Sequence, residues 1–275
     1  MQRIMKVESM FLHAIKKGRK QVAITLLESE AVTSRDRHRA LRYAIAADDS
    51  MMAELILDHS RNHMDQRKLD EYFCQAVRRG QEPMIKLLLR EGASPTAIHI
   101  TKKSALAIAI ETQNVKLVND LLERGADITS IDRYGKSIAM WAASCPSPQI
   151  LQSVLQYGAR TDHALSSAVM NNHYENVRLL LIHGVDPNEA NDQGITPLMV
   201  SILHGNIRII KLLVQYGADL DKQNINGDTA LMYAGRQGRR ELFRILVGLG
   251  ASTRITNDQG ENAYDAVLGY KLDLK

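Results

Sequence analysis

Side chains suited to anion recognition are concentrated in the N-terminal part of this 275-residue sequence. Residues 1–103 contain 19 Lys and Arg against 13 Asp and Glu, whereas residues 104–275 contain 16 against 18. Ammonium and guanidinium groups bind carboxylates through charge-assisted hydrogen bonds. The candidate partner-binding residues are Lys16, Lys17, Arg78, Arg79, Lys103, Arg133 and Lys136, together with the aromatic Tyr134. The distribution predicts a site for an acidic partner in this part of the chain.

Residue patterns for catalysis or metal binding do not occur in the sequence. Its nine His are scattered, with no i,i+4 pair that has a third ligand in view. Cys74 and Cys145 lie far apart without metal spacing, and no neighbouring signature supplies a base for a thiolate. Gly248-Leu249-Gly250 ends a predicted helix and has the wrong sequel for nucleotide binding. We therefore expect no catalytic residues, no metal and no cofactor.

The sequence carries no signal for export or membrane insertion. No stretch approaches the roughly 20 apolar residues that cross a bilayer. Residues Met1-Gln2-Arg3-Ile4-Met5 contain no apolar signal core, and the two cysteines form no disulfide framework. These features predict an intracellular location, cytoplasmic or nuclear, without membrane insertion. We also expect a monomer.

A constant interval organises the elements that must position the basic residues. The segment Gly194-Ile195-Thr196-Pro197-Leu198-Met199 returns at positions 227–232 as Gly227-Asp228-Thr229-Ala230-Leu231-Met232. Self-similarity at a period of about 33 residues is typical of stacked repeats, each of which buries its apolar face against its neighbours.

One repeat can be read directly from the sequence. Asp192-Gln193-Gly194 predicts a turn, and Thr196 caps a helix whose first residue is Pro197. That helix ends at Gly205, and a second amphipathic helix ends at Gly217.

This unit resembles the ankyrin repeat, whose pattern includes Thr-Pro-Leu-His near the first helix and Leu-Leu-x-x-Gly-Ala after the second. Met199 and Met232 replace the family's His. The resemblance implies an all-α solenoid of stacked helix-turn-helix units with short projecting β-hairpin loops. We expect one domain over residues 1–275.

Residues equivalent to Gly205, which we call inter-helix residues, extend the array over nearly the whole chain. They are Gly18, Asp48, Gly80, Gln113, Pro146, Asn172, Gly205 and Gly238. Eight helix pairs follow, and residues 262–268 are expected to form a C-terminal capping helix. Four residues before each inter-helix residue stands a small side chain, which permits close helix packing: Ala14, Ala44, Ala76, Ala109, Ala142, Ala168, Ser201 and Ala234.

One step of the array, from Pro146 to Asn172, is shorter than the others. The hairpin after Gly158 should be absent or truncated, so an irregular junction is predicted near residues 144–163. Because neighbouring interfaces stabilise a solenoid, we expect the repeats before and after this step to unfold separately.

The resemblance also implies where a partner binds, since partners of the family usually occupy the concave groove formed by hairpin tips and inner helices. The two residues before each inter-helix residue should face that groove, including Lys16-Lys17, Arg78-Arg79 and Ser144-Cys145. Hairpin tips add Lys103, Arg133, Tyr134 and Lys136, whereas later tips carry Asp192, Asp228, Asp258 and Glu261. A groove basic at one end and polar-acidic at the other would orient its partner.

These residues predict a non-enzymatic protein-interaction scaffold or adaptor that binds an acidic protein segment at the basic N-terminal units. Three alternatives stay open at this point. The charges could simply solvate the surface, the same residues could bind nucleic acid, or the chain could be an adaptor or effector that recruits an enzyme complex.

Several other conspicuous residues are expected to have structural roles. His13 and Trp141 occupy equivalent inner-helix positions and are expected to pack in the core, as are Met140, Met199 and Met232. Asn188 stands where ankyrin repeats can be hydroxylated, but a hydrogen-bonded turn residue is the favoured interpretation.

Overall fold

The computed structural model describes residues 10–28, 32–60 and 64–272. The segment Met1-Gln2-Arg3-Ile4-Met5 lies outside these ranges. The described residues are helical in the following segments: α1 (10–16), α2 (Lys20–Glu28), α3 (Ser34–Ala46), α4 (Ser50–Asp58), α5 (Gln66–Arg79), α6 (Glu82–Arg90), α7 (Ala105–Glu111), α8 (Val115–Glu123), α9 (Ile138–Ser144), α10 (Pro148–Gln156), α11 (Ala164–Met170), α12 (Tyr174–Ile182), α13 (Pro197–His204), α14 (Ile207–Gln215), α15 (Ala230–Arg236), α16 (Arg240–Gly248) and α17 (Ala263–Leu272).

The chain forms two compact units, Met1–Gly135 and Lys136–Lys275. The first contains α1–α8 and the second contains α9–α17. The boundary precedes the short step, which lies within the second unit. Across that step α9 packs directly on α11, and α10 packs on α12.

Side-chain caps explain where the inner helices begin. Ser104, Ser137, Thr196 and Thr229 each accept a hydrogen bond from the amide three residues later. Pro197 follows its cap at the first helical position, where no amide hydrogen is needed. The predicted cap at Thr196 is therefore confirmed.

The inter-helix residues end the inner helices in the left-handed conformation. Their φ angles lie between 54° at Asp48 and 74° at Gly205, and the set is Gly18, Asp48, Gly80, Gln113, Asn172, Gly205 and Gly238. Glycine accepts this conformation without strain, and Asn and Asp tolerate it better than most residues. Pro146 is the exception, because α9 ends instead at Cys145 in an extended conformation, with ψ of 138°.

The small residues four before each inter-helix residue are all buried, as predicted. They let the inner helices approach one another, so that α3 packs on α5 and α5 on α7 in the first unit. In the second unit α9, α11, α13, α15 and α17 pack in succession. Gly235 marks one such approach, since a Cβ there would lie 3.1 Å from the Ala263 carbonyl oxygen. Within each unit the described residues thus form an all-α stack of helix pairs, which confirms the predicted fold class.

The hairpin loops hold their shape mainly through turn hydrogen bonds. In four of them, a backbone amide donates to the carbonyl oxygen of the residue four positions later. The donors are His99, Asn191, Asn224 and Asn257. In the loop of the first unit, Ile98 and Ser104 also form an isolated antiparallel bridge.

Candidate functional site

Neither cysteine is a candidate nucleophile. Cys74 is fully buried, and burial raises the pKa of its thiol to about 12. Burial also raises the pKa of Cys145, which is 6% exposed. The thiolate is the reactive form, so burial and the raised pKa both disfavour a nucleophilic role for either side chain. Within the ranges that the structure describes, no three His, Cys, Asp or Glu residues converge to hold a metal ion.

The residues preceding the inter-helix positions are exposed in most repeats, including Lys16, Lys17, Arg78 and Arg79. The prediction was wrong for Ser144-Cys145, because Cys145 is buried. The reason is local: Pro146 replaces the left-handed residue, and the extended backbone at Cys145 turns its side chain inward.

The Arg78-Arg79 pair separates into two roles. Arg79 Nη1 donates to the Ile45 carbonyl oxygen at 3.3 Å, beside Gln81 Nε2, which donates to the same oxygen at 2.7 Å. Arg79 therefore helps to satisfy a carbonyl oxygen at the C-terminal end of α3. Arg78 points to the next hairpin, where its Nη2 lies 3.4 Å from His99 Nδ1.

Four of the predicted site residues line a single concavity in the first unit. The lining residues are Arg78, Thr101, Lys103, Asp132, Arg133 and Tyr134, around about 280 Å³. We call this the basic concavity. Arg78 comes from the end of α5, Thr101 and Lys103 from the following hairpin, and Arg133 and Tyr134 from the next hairpin. The repeat period thus gathers at one place residues that are distant in the sequence.

The cations of the basic concavity are oriented by their neighbours. Lys103 Nζ lies 2.8 Å from Glu111 Oε1 and 2.9 Å from Oε2, which holds the ammonium against the exposed end of α7. The Arg133 guanidinium lies 4.6 Å from the centre of the Tyr134 ring, within the range of a cation–π contact. Together with the contact between Arg78 and His99, these contacts position three cationic heads that share one rim.

A second basic patch, made by Lys16, Arg39, Arg42 and Tyr43, lies on α1 and α3. Lys16 Nζ lies 4.5 Å over the Tyr43 ring, and Arg39, Arg42, Tyr43 and Ala46 line a concavity of about 320 Å³. A hydrogen bond from Lys16, together with the charges of Lys16 and Arg39, lowers the pKa of Tyr43. Sequence reasoning missed Arg39 and Arg42, although their i, i+3, i+7 spacing with the exposed Ala46 places all three on one helix face.

Lys136 belongs to the second unit, where its Nζ lies 4.0 Å over the Trp141 ring. Trp141 is only half-buried and His13 is exposed, so the expectation that both pack in the core was wrong. Their shared position lies one turn before the exposed residues at the helix end, at the edge of the apolar face. Met199 and Met232 are buried as predicted, and Met140 is partly buried.

The acidic hairpin residues of the second unit are partly neutralised. Arg236 binds Asp228 through two hydrogen bonds of 2.6 and 2.8 Å and Glu261 through one of 3.0 Å. Asp228 is buried, so it contributes no surface charge, contrary to the sequence prediction. Asp192 and Asp258 are exposed.

Asn188 is a hydrogen-bonded turn residue, which confirms the favoured interpretation. Its side-chain amide donates to the Gly217 carbonyl oxygen at 3.0 Å, and its side-chain oxygen accepts from the Asp219 backbone amide at 2.7 Å. The side chain thereby links two successive repeats.

Comparison with known proteins agrees with this architecture. A family model described as ankyrin repeats (3 copies) matches residues 73–164 and 165–257, well over half of the chain. The chain is 26% identical to the ankyrin repeat domain of Bcl-3, a member of the IkappaB protein family, with a TM-score of 0.64 over 70% of this chain and 92% of that domain. The human ASB11 ankyrin repeat domain is also 26% identical, with a TM-score of 0.65 over 72% of this chain and 96% of that domain.

Curated relatives are much longer proteins. The ankyrin repeat domain-containing protein SAT10 of Stachybotrys chartarum is 30% identical over 122 residues, which are 42% of this chain and 6% of that protein. The mouse ankyrin repeat, SAM and basic leucine zipper domain-containing protein 1 is 32% identical over 119 residues, which are 39% of this chain and 25% of that protein. The chain thus matches only a minor part of their length.

Ankyrin-repeat domains are in general protein–protein interaction modules, typically without enzymatic activity. Among the helices that the structure describes, none is both long enough and apolar enough to cross a membrane. The repeated caps, the left-handed inter-helix residues and the matching family model together establish that this chain belongs to the ankyrin-repeat family.

Proposed function

We propose that this chain is a non-enzymatic scaffold that binds an acidic segment of a protein partner through the basic concavity of its first unit. The observation that carries the proposal is the convergence of Arg78, Lys103 and Arg133 on one rim. Arg78 comes from the end of α5, and Lys103 and Arg133 come from the next two hairpins. Three cations thus meet at one concavity rather than being spread over the surface.

Electrostatics favours a carboxylate-bearing ligand at this rim. Guanidinium groups bind carboxylates with two parallel hydrogen bonds, and complementary charge raises the association rate. An incoming carboxylate competes with Glu111 for Lys103. That ion pair is partly exposed, and such pairs contribute only about 0–1 kcal/mol, so the competition costs little. The basic patch on α1 and α3 offers further cations to a longer segment.

The proposal is tested with a charge-reversal variant, Arg78→Glu/Lys103→Glu/Arg133→Glu, and a library of random peptides displayed on phage. Peptides selected on the wild-type protein should be rich in Asp and Glu and should lose affinity for the variant. The matched control, Lys86→Glu/Lys116→Glu, reverses exposed charges on α6 and α8 and should leave affinity unchanged. Peptides without acidic enrichment, or equal loss in the control, would refute the proposal.

Nucleic-acid binding is the second candidate, and the basic patch on α1 and α3 is the observation that favours it. Tyr43 and Tyr134 are each covered on one face by a cation, which leaves less aromatic surface for stacking bases. Titration with labelled single-stranded DNA and RNA separates the two functions. Affinity that exceeds that of the selected peptides and falls steeply with salt would favour nucleic acid.

A further inference from the structure

The hairpin tips beside the basic concavity are unusually apolar. Ile98 is 58% exposed, Ile100 73%, Ile131 64% and Tyr134 74%. Two of these residues, Ile98 and Ile131, precede their hairpin turns at equivalent positions, one repeat period apart. Tyr134 belongs to the basic concavity itself.

Local contacts place the two hairpins side by side. Ile98 is bridged to Ser104, and Ser130 Oγ donates to Ser104 Oγ at 3.0 Å. Ser130 immediately precedes Ile131. The aliphatic side chains therefore project from neighbouring hairpins, next to the rim that Lys103 and Arg133 share.

Isoleucine at the position of Ile98 and Ile131 is confined to the two hairpins of the first unit. Positions equivalent to Ile98 and Ile131 in the later hairpins hold Ala190, Gln223 and Thr256. The turn chemistry of the hairpin thus accepts polar residues there, so its fold does not require the isoleucines. Large apolar side chains exposed together on a protein surface mark an interaction site.

We infer that the partner segment alternates acidic with large apolar side chains and binds in an extended conformation across these two hairpins. Its acidic side chain binds Arg78, Lys103 and Arg133, while the apolar residues on either side cover Ile98, Ile131 and Tyr134. Each residue of an extended chain adds about 3.3 Å, so one short segment reaches from the basic concavity to the adjoining hairpin tips. This inference rests on the proposed function and specifies the chemistry of its ligand.

The test uses the variant Ile98→Thr/Ile131→Gln, whose new residues already occupy the equivalent positions of later hairpins. Peptides selected on the wild-type protein should carry aliphatic or aromatic residues next to Asp or Glu. The variant should bind those peptides about a hundredfold more weakly, because each of its two isoleucines contributes roughly tenfold when the peptide buries it. The matched control is Ile225→Thr, an equally exposed residue on a hairpin of the second unit, and its affinity should be unchanged.

The outcomes separate this inference from the function on which it rests. Acidic peptides that lack apolar neighbours, or affinities unaffected by Ile98→Thr/Ile131→Gln, would overturn the alternating motif and leave the acidic-ligand proposal standing. Peptides without acidic enrichment, or a library from which nothing is selected, would overturn both. Circular dichroism of each variant confirms that lost affinity does not reflect unfolding.

Discussion

His99 accepts a hydrogen bond at Nδ1 from the backbone amide of Thr101, at 3.2 Å. In other hairpins the same bond is accepted by a side-chain oxygen, at Asp132, Asn191, Asn224 and Asn257. The Thr101 hydroxyl, at 2.9 Å, and Arg78, at 3.4 Å, also approach Nδ1. A histidine thus replaces an Asx residue, and it can accept these bonds only while Nδ1 carries no proton.

We predict that this hairpin makes stability sensitive to acid. Burial, followed by the charge of Arg78, lowers the pKa of His99 in the folded protein despite the opposing effect of Glu71. The unfolded chain therefore binds the proton more readily, and stability falls as the pH drops from above about 6.5 through the lowered pKa of the folded state. Urea unfolding followed at about pH 7.5 and about pH 5 measures the loss.

The control for this prediction is His99→Asn, which keeps the turn acceptor and removes the titration. The variant should lose less stability on acidification than the wild type. Burial and the charge of Lys68 also lower the pKa of His38. Acidification should therefore still reduce the stability of the variant, but by less than it reduces that of the wild type. Equal losses in the wild type and the variant would show that His99 has no part in the effect.

A second prediction concerns the short repeat step within the second unit. Asn176, which is buried, donates through Nδ2 to the carbonyl oxygens of Ala143 at 3.0 Å and Cys145 at 2.6 Å. It thereby ties α12 to the end of α9. Asn176→Ala leaves these carbonyls unsatisfied and should lower the free energy of unfolding by about 1–3 kcal/mol.

The same variant tests whether repeats on either side of the step unfold separately, as the sequence predicts. Trp141 is the only tryptophan and lies on α9, so its fluorescence reports that helix, while circular dichroism reports all helices. Two separated transitions in the wild type would support independent unfolding. If the transitions coincide in the wild type and separate in Asn176→Ala, the asparagine supplies the coupling.

A third prediction compares two glycines at which an added methyl group should have opposite effects on stability. Gly194 has a φ of 71°, and a Cβ there would lie 2.8 Å from Asn224 Cα in the next hairpin. Gly194→Ala should therefore destabilise the protein by more than about 1 kcal/mol. Gly248 lies in α16 with open space around it, so Gly248→Ala should stabilise by up to about 1 kcal/mol. Thermal unfolding measures both, and similar effects in the two variants would contradict the assignment.

A fourth prediction concerns the ion cluster of the second unit. Arg236 neutralises the buried carboxylate of Asp228 and also binds Glu261. Arg236→Met keeps the apolar stem but removes the charge, and it should destabilise by about 1–3 kcal/mol. Arg236→Met/Asp228→Asn should recover part of that loss, since the buried charge is also removed. A double variant less stable than the single one would contradict this account.

The sequence predicts the repeat framework well because each repeat is specified by local chemistry. Thr196 and Pro197 start a helix, and Gly205 ends it, through interactions within a few residues. The period then brings Arg78, Lys103 and Arg133 to adjacent elements, which is why their clustering could be anticipated. Arg39 and Arg42 were missed because only the two residues before each inter-helix residue were assigned to the groove, and both arginines lie further back in α3.

Side-chain pairing between elements was the harder part to predict. Neutralisation of Asp228 by Arg236 depends on how a hairpin folds back over α15, and no local pattern encodes that contact. Similarly, the exposure of Trp141 and His13 depends on a small rotation of the inner helix about its axis. A shift of one position across the helix surface moves a residue from the core to its edge.

The central claim is that the basic concavity binds an acidic side chain of a partner segment, and a charge-swap cycle tests it most directly. Lys103→Glu is combined with a selected peptide whose central acidic residue is replaced by Lys, and all four affinities are measured by titration at low and moderate salt. We predict that each single change weakens binding by about tenfold or more and that the double change restores much of the loss. Additive losses, with no recovery in the swapped pair, would contradict direct contact between Lys103 and the acidic residue.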